Sequence, residues 1–239
     1  MRTILLSLLL IAGASPGFAS TSYSLPAGQQ DSGNNPVSAS AILSLSLVGS
    51  TEVLTVTVNN YTSNQTADGE NITGIELNIN SNITGASLVS SYAPIDLVDI
   101  TSQTAVADLS AGAMSHWTGA VTSLTELTLT TIGSGQPSYG IIGAPNSQGL
   151  YSAANGSLTN NANKQPYAQE EAVFTVDLTG SNITLGSITG VVIGFGTQGN
   201  NYINASVAAN IATPEPSMMW FGMTGVLMMC VGAWRKRRN

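Results

Sequence analysis

Between residues 41 and 195, apolar and polar positions alternate in short rows. Leu43, Leu45 and Leu47 alternate with Ser44 and Ser46, and Leu54, Val56 and Val58 alternate with Thr55 and Thr57. A period of two marks a strand with one buried face, and the Gly49-Ser50 step between the rows predicts a hairpin turn. The same pattern returns at Ile75, Leu77 and Ile79, at Leu127 and Leu129, at Phe174, Val176 and Leu178, and at Val191, Ile193 and Phe195. Gly190, Gly194 and Gly196 beside the last row predict a bulge or a close backbone approach. Residues 104–116, which contain AVADLSAGAM, predict a short helix, and residues 133–170, rich in Gly, Asn, Ser and Pro, predict long loops with one or two short strands. Residues 20–40 lack periodicity and read as an exposed lead-in closing on a first edge strand. Seven to ten strands with turn signals and almost no helix predict an all-β fold, a single antiparallel β-sandwich over residues 41–212. The apolar rows separate this chain from disordered polar sequences, which lack them.

Charge is scarce and unevenly placed. Of 239 residues only 6 are Lys or Arg and 13 are Asp or Glu, 8% in all against roughly 25% in an average soluble domain. Lys164 is the one basic residue between Arg2 and Arg235, so residues 20–213 carry a balance of −11 with no Arg. Such a surface repels phosphate backbones and argues against nucleic acid as a partner. The single Cys, Cys230, excludes an internal disulfide and any cysteine metal cluster.

Both ends depart from the body. Residues 1–19 have a positive Arg2, an apolar run from Ile4 to Ala12 and the small residues Gly17 and Ala19 around a Phe, the pattern of a signal peptide cut after Ala19. Met218–Trp234 is 17 residues without a charge, about 25 Å as a helix, with Trp220 and Trp234 near its ends. That predicts one transmembrane helix at the lower limit of length. Arg235, Lys236, Arg237 and Arg238 follow at once, and positive-inside logic places them in the cytoplasm with the body on the far side. Pro214 and Pro216 hold Glu215 extended just before the span, as a protease or transpeptidase would bind it.

Residues 213–239, with Pro214-Glu215-Pro216, an apolar segment and a terminal basic cluster, resemble the PEP-CTERM sorting domain of exosortase-dependent proteins. The resemblance implies a Gram-negative, exopolysaccharide-producing host and a membrane exosortase that recognises Pro214, Glu215 and Pro216 and processes the tail. It further implies that Met218–Trp234 is a temporary inner-membrane anchor, that Arg235–Arg238 form its cytoplasmic stop, and that the processed protein reaches the cell surface or the extracellular matrix. The order of elements from Leu43 to Phe195, an early SLSLVGSTEVLTVTVNN hairpin and a late AVFTVDL strand before IGFG, also resembles ectodomains carried by exosortase substrates.

The body offers little chemistry. His116, beside Trp117, is the only imidazole, and there is no Cys nucleophile or G-x-S-x-G elbow to serve with it. The close carboxylate pairs are Asp68 with Glu70, Asp96 with Asp99, and Glu170 with Glu171; a glycosidase needs two such groups facing across a cleft. Asp68-Gly69-Glu70-Asn71 and Asp96-Leu97-Val98-Asp99 carry the oxygen ligands calcium takes, but neither matches an EF-hand loop. Seven N-x-[ST] sequons, at Asn60, Asn64, Asn71, Asn82, Asn155, Asn182 and Asn204, follow from the Asn/Ser/Thr-rich composition.

The expectation is therefore a non-enzymatic protein without catalytic, cofactor or metal residues. It is carried out by the secretion machinery, held in the inner membrane as a precursor and released by exosortase to a structural or adhesive role in exopolysaccharide biofilm. The alternative is a carbohydrate-binding module using exposed aromatics among Trp117, Tyr139, Tyr151 and Tyr167, and a secreted hydrolase stands third.

Overall fold

The Leu/Ser and Val/Thr rows form the central hairpin of the fold. A computed structural model describes residues 19–208 apart from 134–136, 160, 181–182 and 198–200. β2 (Ala39–Val48) and β3 (Thr51–Asn60) pair along their whole length and turn at Gly49, whose φ of 65° explains the glycine. The chain begins with β1 (Ser20–Ser24), and continues after the hairpin through β4 (Ile72–Ile79), β5 (Ile83–Ala93), β6 (Leu97–Ser102), β7 (Ala105–Asp108) and β8 (Gly112–Ala113). Then come β9 (Thr118–Ser123), β10 (Glu126–Thr130), β11 (Ile141–Ile142), β12 (Tyr167–Gln169), β13 (Glu171–Gly180), β14 (Ile188–Phe195) and β15 (Asn201–Val207). The fold is all-β; among the described residues the only helical pieces are two 3-10 turns, Asp68–Glu70 and Leu185–Ser187.

The strands make one curled, open sheet. One half runs β1-β2-β3-β13-β5-β8. The other is centred on β4, which pairs with β14 along one edge and with β10 and β11 along the other. The halves are joined where β1 pairs with β15 at Tyr23 and Ser24. The expectation of a single antiparallel sandwich is refined in two ways: the hydrogen bonding is continuous through that join, and β11 with β12 is a parallel pair.

Alternation explains the core. Leu43, Leu54, Val56, Val58, Phe174 and Val176 from the first half share one buried cluster with Ile75, Leu77, Leu127, Leu129 and Ile193 from the second. Tyr23 ties the halves by donating its hydroxyl to the Ile188 carbonyl at 2.9 Å. Burying a side chain such as Phe174 contributes about 1.5–3 kcal/mol, and the chain relies on many such rows in place of disulfides. A satellite cluster of Val98, Ile100, Ile142, Tyr151, Leu158 and Tyr167 packs beneath the long connection 143–166. The glycines of β14 meet both expectations. Its register with β4 shifts on either side of the Gly190–Gly194 stretch, and the Tyr202 ring lies where a Cβ on Gly194 would project.

Two expectations are corrected. Residues 20–40 are not an exposed lead-in. Ser20–Ser24 is a strand between β2 and β15, and Tyr23, Asp31, Val37 and Ala39 are buried. The AVADLSAGAM segment is not a helix: Ala105–Asp108 pairs with β6, Ser110 sits at φ 67°, and Gly112–Ala113 pairs with β5. Alanine's helix propensity of a few tenths of a kcal/mol per residue is outweighed by that pairing.

Candidate functional site

The densest polar chemistry of the body lies beyond the end of β3. Asn60 is buried, and its amide donates to the carbonyls of Glu70 at 3.0 Å and Ile141 at 2.8 Å, while its oxygen accepts from the Thr62 N–H. Gln65 donates to the Glu70 carbonyl and accepts from the Gly143 N–H at 2.9 Å. These bonds fold residues 61–71 back on themselves, and the turn Asp68–Glu70 lies against Asp31 at Gly69.

Three buried carboxylates stand on this turn and the loop beside it, each with partners of its own. Asp68 forms an ion pair with Lys164, and its other oxygen accepts the Tyr167 hydroxyl at 3.0 Å and the Asn71 amide at 3.3 Å. Glu70 accepts the N–H groups of Thr66 at 2.6 Å and Ala67 at 2.8 Å. Asp31 accepts the N–H groups of Gly33 and Asn35, and packs so closely over Gly69 that a Cβ there would collide with its carboxylate. The body's one lysine is thus spent on Asp68, and Asp31 and Glu70 are held by amide donors.

Burial dominates the electrostatics. It raises the Asp68 carboxyl above its ordinary value, partly offset by the Lys164 bond and charge and by Tyr167. Burial also raises Glu70, offset by the Ala67 and Thr66 amides and reinforced by the charge of Asp31. Glu76 on β4 is raised by burial and by Glu126 beside it. A carboxyl with a raised folded-state pKa binds its proton more tightly folded than unfolded. Its contribution to stability therefore falls as pH rises from the ordinary carboxylate range, near 4, through the raised value. The body, at −11, also repels itself less on acidification. The melting temperature should accordingly rise as pH is lowered from 7 toward about 4.5; a fall in thermal melts over that range would contradict this assignment of the shifts.

The expected site residues take other roles. Tyr151 and Tyr167 are fully buried, with the Tyr151 hydroxyl on the Gly143 carbonyl at 2.7 Å, and neither is a ligand platform. Burial pushes both phenols well above their usual range, so they act as donors. Trp117 is a core residue, 4.6 Å from Phe174 between ring centroids, with its indole N–H on the Tyr139 carbonyl at 2.7 Å. Tyr139 is half-buried, and exposed His116 meets its ring edge-on at 5.3 Å. Trp117, Tyr151 and Tyr167 share one physical reason: each fills a gap in the packing and finds a partner for its polar tip.

No known family, curated protein or solved structure matches the chain. The functional reading therefore rests on its own residues. Asp68 and Glu70 do not face each other across a cleft, because each is taken up by its own partners. Asp96 and Asp99 are half-buried at the start of β6, and Glu170 and Glu171 lead into β13. Among the described residues no three His, Cys, Asp or Glu side chains gather to hold a metal ion. Of the sequons, Asn60 and Asn71 are buried, whereas Asn82, Asn155 and Asn204 are exposed and Asn64 is intermediate. Asn182 lies outside the described residues, as do Cys230 and the sorting tail: Pro214, Glu215, Pro216, Met218–Trp234 and Arg235, Lys236, Arg237 and Arg238. So does the expected signal peptide up to residue 18. Ala19 opens the described chain, and β1 starts at Ser20. Among the described residues no helix is long and apolar enough to cross a membrane.

Sequence reasoning missed the hub residues Asn60, Gln65 and Lys164. It also missed the two most exposed tyrosines, Tyr61 at 60% and Tyr92 at 44%.

Proposed function

We propose that this chain is an exported surface or matrix protein, with a sandwich-like β ectodomain that has a structural or adhesive role in exopolysaccharide biofilm rather than a catalytic one. The secretion machinery carries it across the inner membrane, where the apolar tail holds the precursor with its body outside the cytoplasm. An exosortase then releases it to the surface or medium. One observation carries this reading: Pro214-Glu215-Pro216, a 17-residue uncharged run and Arg235–Arg238 stand in that order at one end of a body otherwise almost devoid of cations. The fold supports it, since a sheet that depends on no cysteine is indifferent to redox conditions outside the cell.

The test is mass spectrometry of the C-terminus of protein recovered from the surface or medium of its host. The expected result is an end near residues 214–216 with Met218–Asn239 gone. Protein found only in the membrane fraction and ending at Asn239 would instead mean a permanent anchor and would remove the exosortase from the reading.

A further inference from the structure

The outward face of β2, β3, β13 and β5 spans four adjacent strands. Register places Ile42, Thr57, Val173 and Tyr92 in one row across these four strands. Ser44, Thr55, Thr175 and Ser90 form the next row. Both rows face outward, because the intervening positions, Leu43, Val56, Phe174 and their neighbours, are fully buried in the core. Tyr61 follows the end of β3 and joins this face, its hydroxyl 3.0 Å from that of Ser40, which shares the outward side of β2. Tyr92 is level with Thr57 on β3, two strands away, and Tyr61 stands four residues beyond Thr57, so at about 4.8 Å per strand and 3.3 Å per residue the two positions are roughly 16 Å apart. That span is the reach of a short run of sugar rings. Between them lies the row Ser40, Asn59 and Glu171, and beyond Tyr92 the hydroxyls of Ser44, Thr55, Thr175 and Ser90 continue the face.

We propose that this face binds a neutral polysaccharide, with Tyr61 and Tyr92 as its two stacking platforms. A tyrosine ring offers an apolar face and a polar rim, which is also how the C–H face and hydroxyls of a sugar are arranged. Ser and Thr hydroxyls both donate and accept, as sugar hydroxyls do. The fold buries Tyr23, Tyr151 and Tyr167, yet leaves these two rings in water on one face. Charge selects the ligand. Lys164 is paired to Asp68, no Arg stands anywhere in the body, and Glu171 and Asp177 share the outward side of β13 with Val173 and Thr175. An anionic chain is repelled there. A protein partner would call for the Trp, Arg and contiguous apolar centre that this face lacks. From the proposed function the inference takes only the setting, outside the cell among polysaccharides.

The test is affinity electrophoresis of the full chain, solubilised in a non-ionic detergent, through gels containing hydroxyethyl cellulose, galactomannan or, as the charged comparison, alginate. At least one neutral polymer should retard the protein and alginate should not. Tyr61→Ala and Tyr92→Ala should each raise the dissociation constant about tenfold, and Tyr92→Phe should bind as the parent does. Because both rings are exposed, circular dichroism of the Ala variants should match the parent. No retardation by either neutral polymer, equal retardation by alginate, or Ala variants that bind unchanged would each overturn the proposal. The C-terminal mass reads the sorting reading separately, so failure of one does not pass for failure of the other.

Discussion

Replacing Lys164 by Met should cost the domain about 3–5 kcal/mol at neutral pH. The ammonium and the Asp68 carboxylate are only 14% and 5% exposed, so the substitution leaves a buried charge without its counter-ion. The Tyr167 hydroxyl and the Asn71 amide still donate to it, but neither carries charge. Met keeps the length of the lysine stem, so lost packing contributes little. The consequence is spatial as well as energetic, because Lys164 lies on the connection 143–166 and Asp68 on the turn after β3, and their pair ties the two. The loss should shrink as pH falls, since Asp68, already raised by burial, then takes up a proton and needs no counter-ion. Adding Asp68→Asn to Lys164→Met should recover part of the stability at pH 7. Urea melts of the two variants at pH 7 and near pH 4.5 check this. An equal loss at both pH values, or no recovery in the double variant, would mean that the pair is not what holds the loop.

Gly143→Ala is the second large effect. A Cβ at Gly143 would collide with the Thr62 carbonyl, 2.7 Å from its carbon, and the obstacle is backbone rather than a side chain that could swing away. Neither partner can yield cheaply. Gly143 donates to Gln65 and accepts from Tyr151, and Thr62 is bonded through its N–H to Asn60 and through its hydroxyl to the Ser38 N–H at 3.1 Å. Relief of the clash must break part of that set, so the expected loss is about 3 kcal/mol, the upper end for overpacking. Gly156→Ala is the comparison: its added methyl meets nothing within 4 Å, and stability should stay within about 0.5 kcal/mol of the parent. Chemical denaturation of both variants decides the matter.

Where a strand buries one face, its residues announce it. The hairpin at Gly49 and the rows at Ile75, Leu127, Phe174 and Val191 stand where alternation places them. β5 was hidden because GASLVSSYA keeps no clean alternation, and a bulge near Val176 shifts its register with β13. The role of β1 was hidden because a Ser-rich strand with one buried ring, Tyr23, has no apolar row to read. The polar hub was illegible for a different reason. Asp68 meets Lys164, 96 residues away, only after the sheet has curled, and no local spacing encodes that meeting. Tyr61 could have been placed: with Leu54, Val56 and Val58 inward, counting on by twos from Thr57 and Asn59 puts it on the outer face. Trp117, Tyr151 and Tyr167 were misjudged because aromatic residues in loop-like sequence look available until the loops are seen to use them as filling.

The scarcity of basic side chains has a further consequence for attack by proteases. Trypsin-type proteases cut after Lys or Arg, and between Arg2 and Arg235 the chain offers them one bond, Lys164–Gln165. In the folded domain the lysine that would enter the protease's specificity pocket is already gripped by Asp68. The same ion pair that fastens the long connection therefore withholds from this whole class of proteases the single place in the body where they could begin.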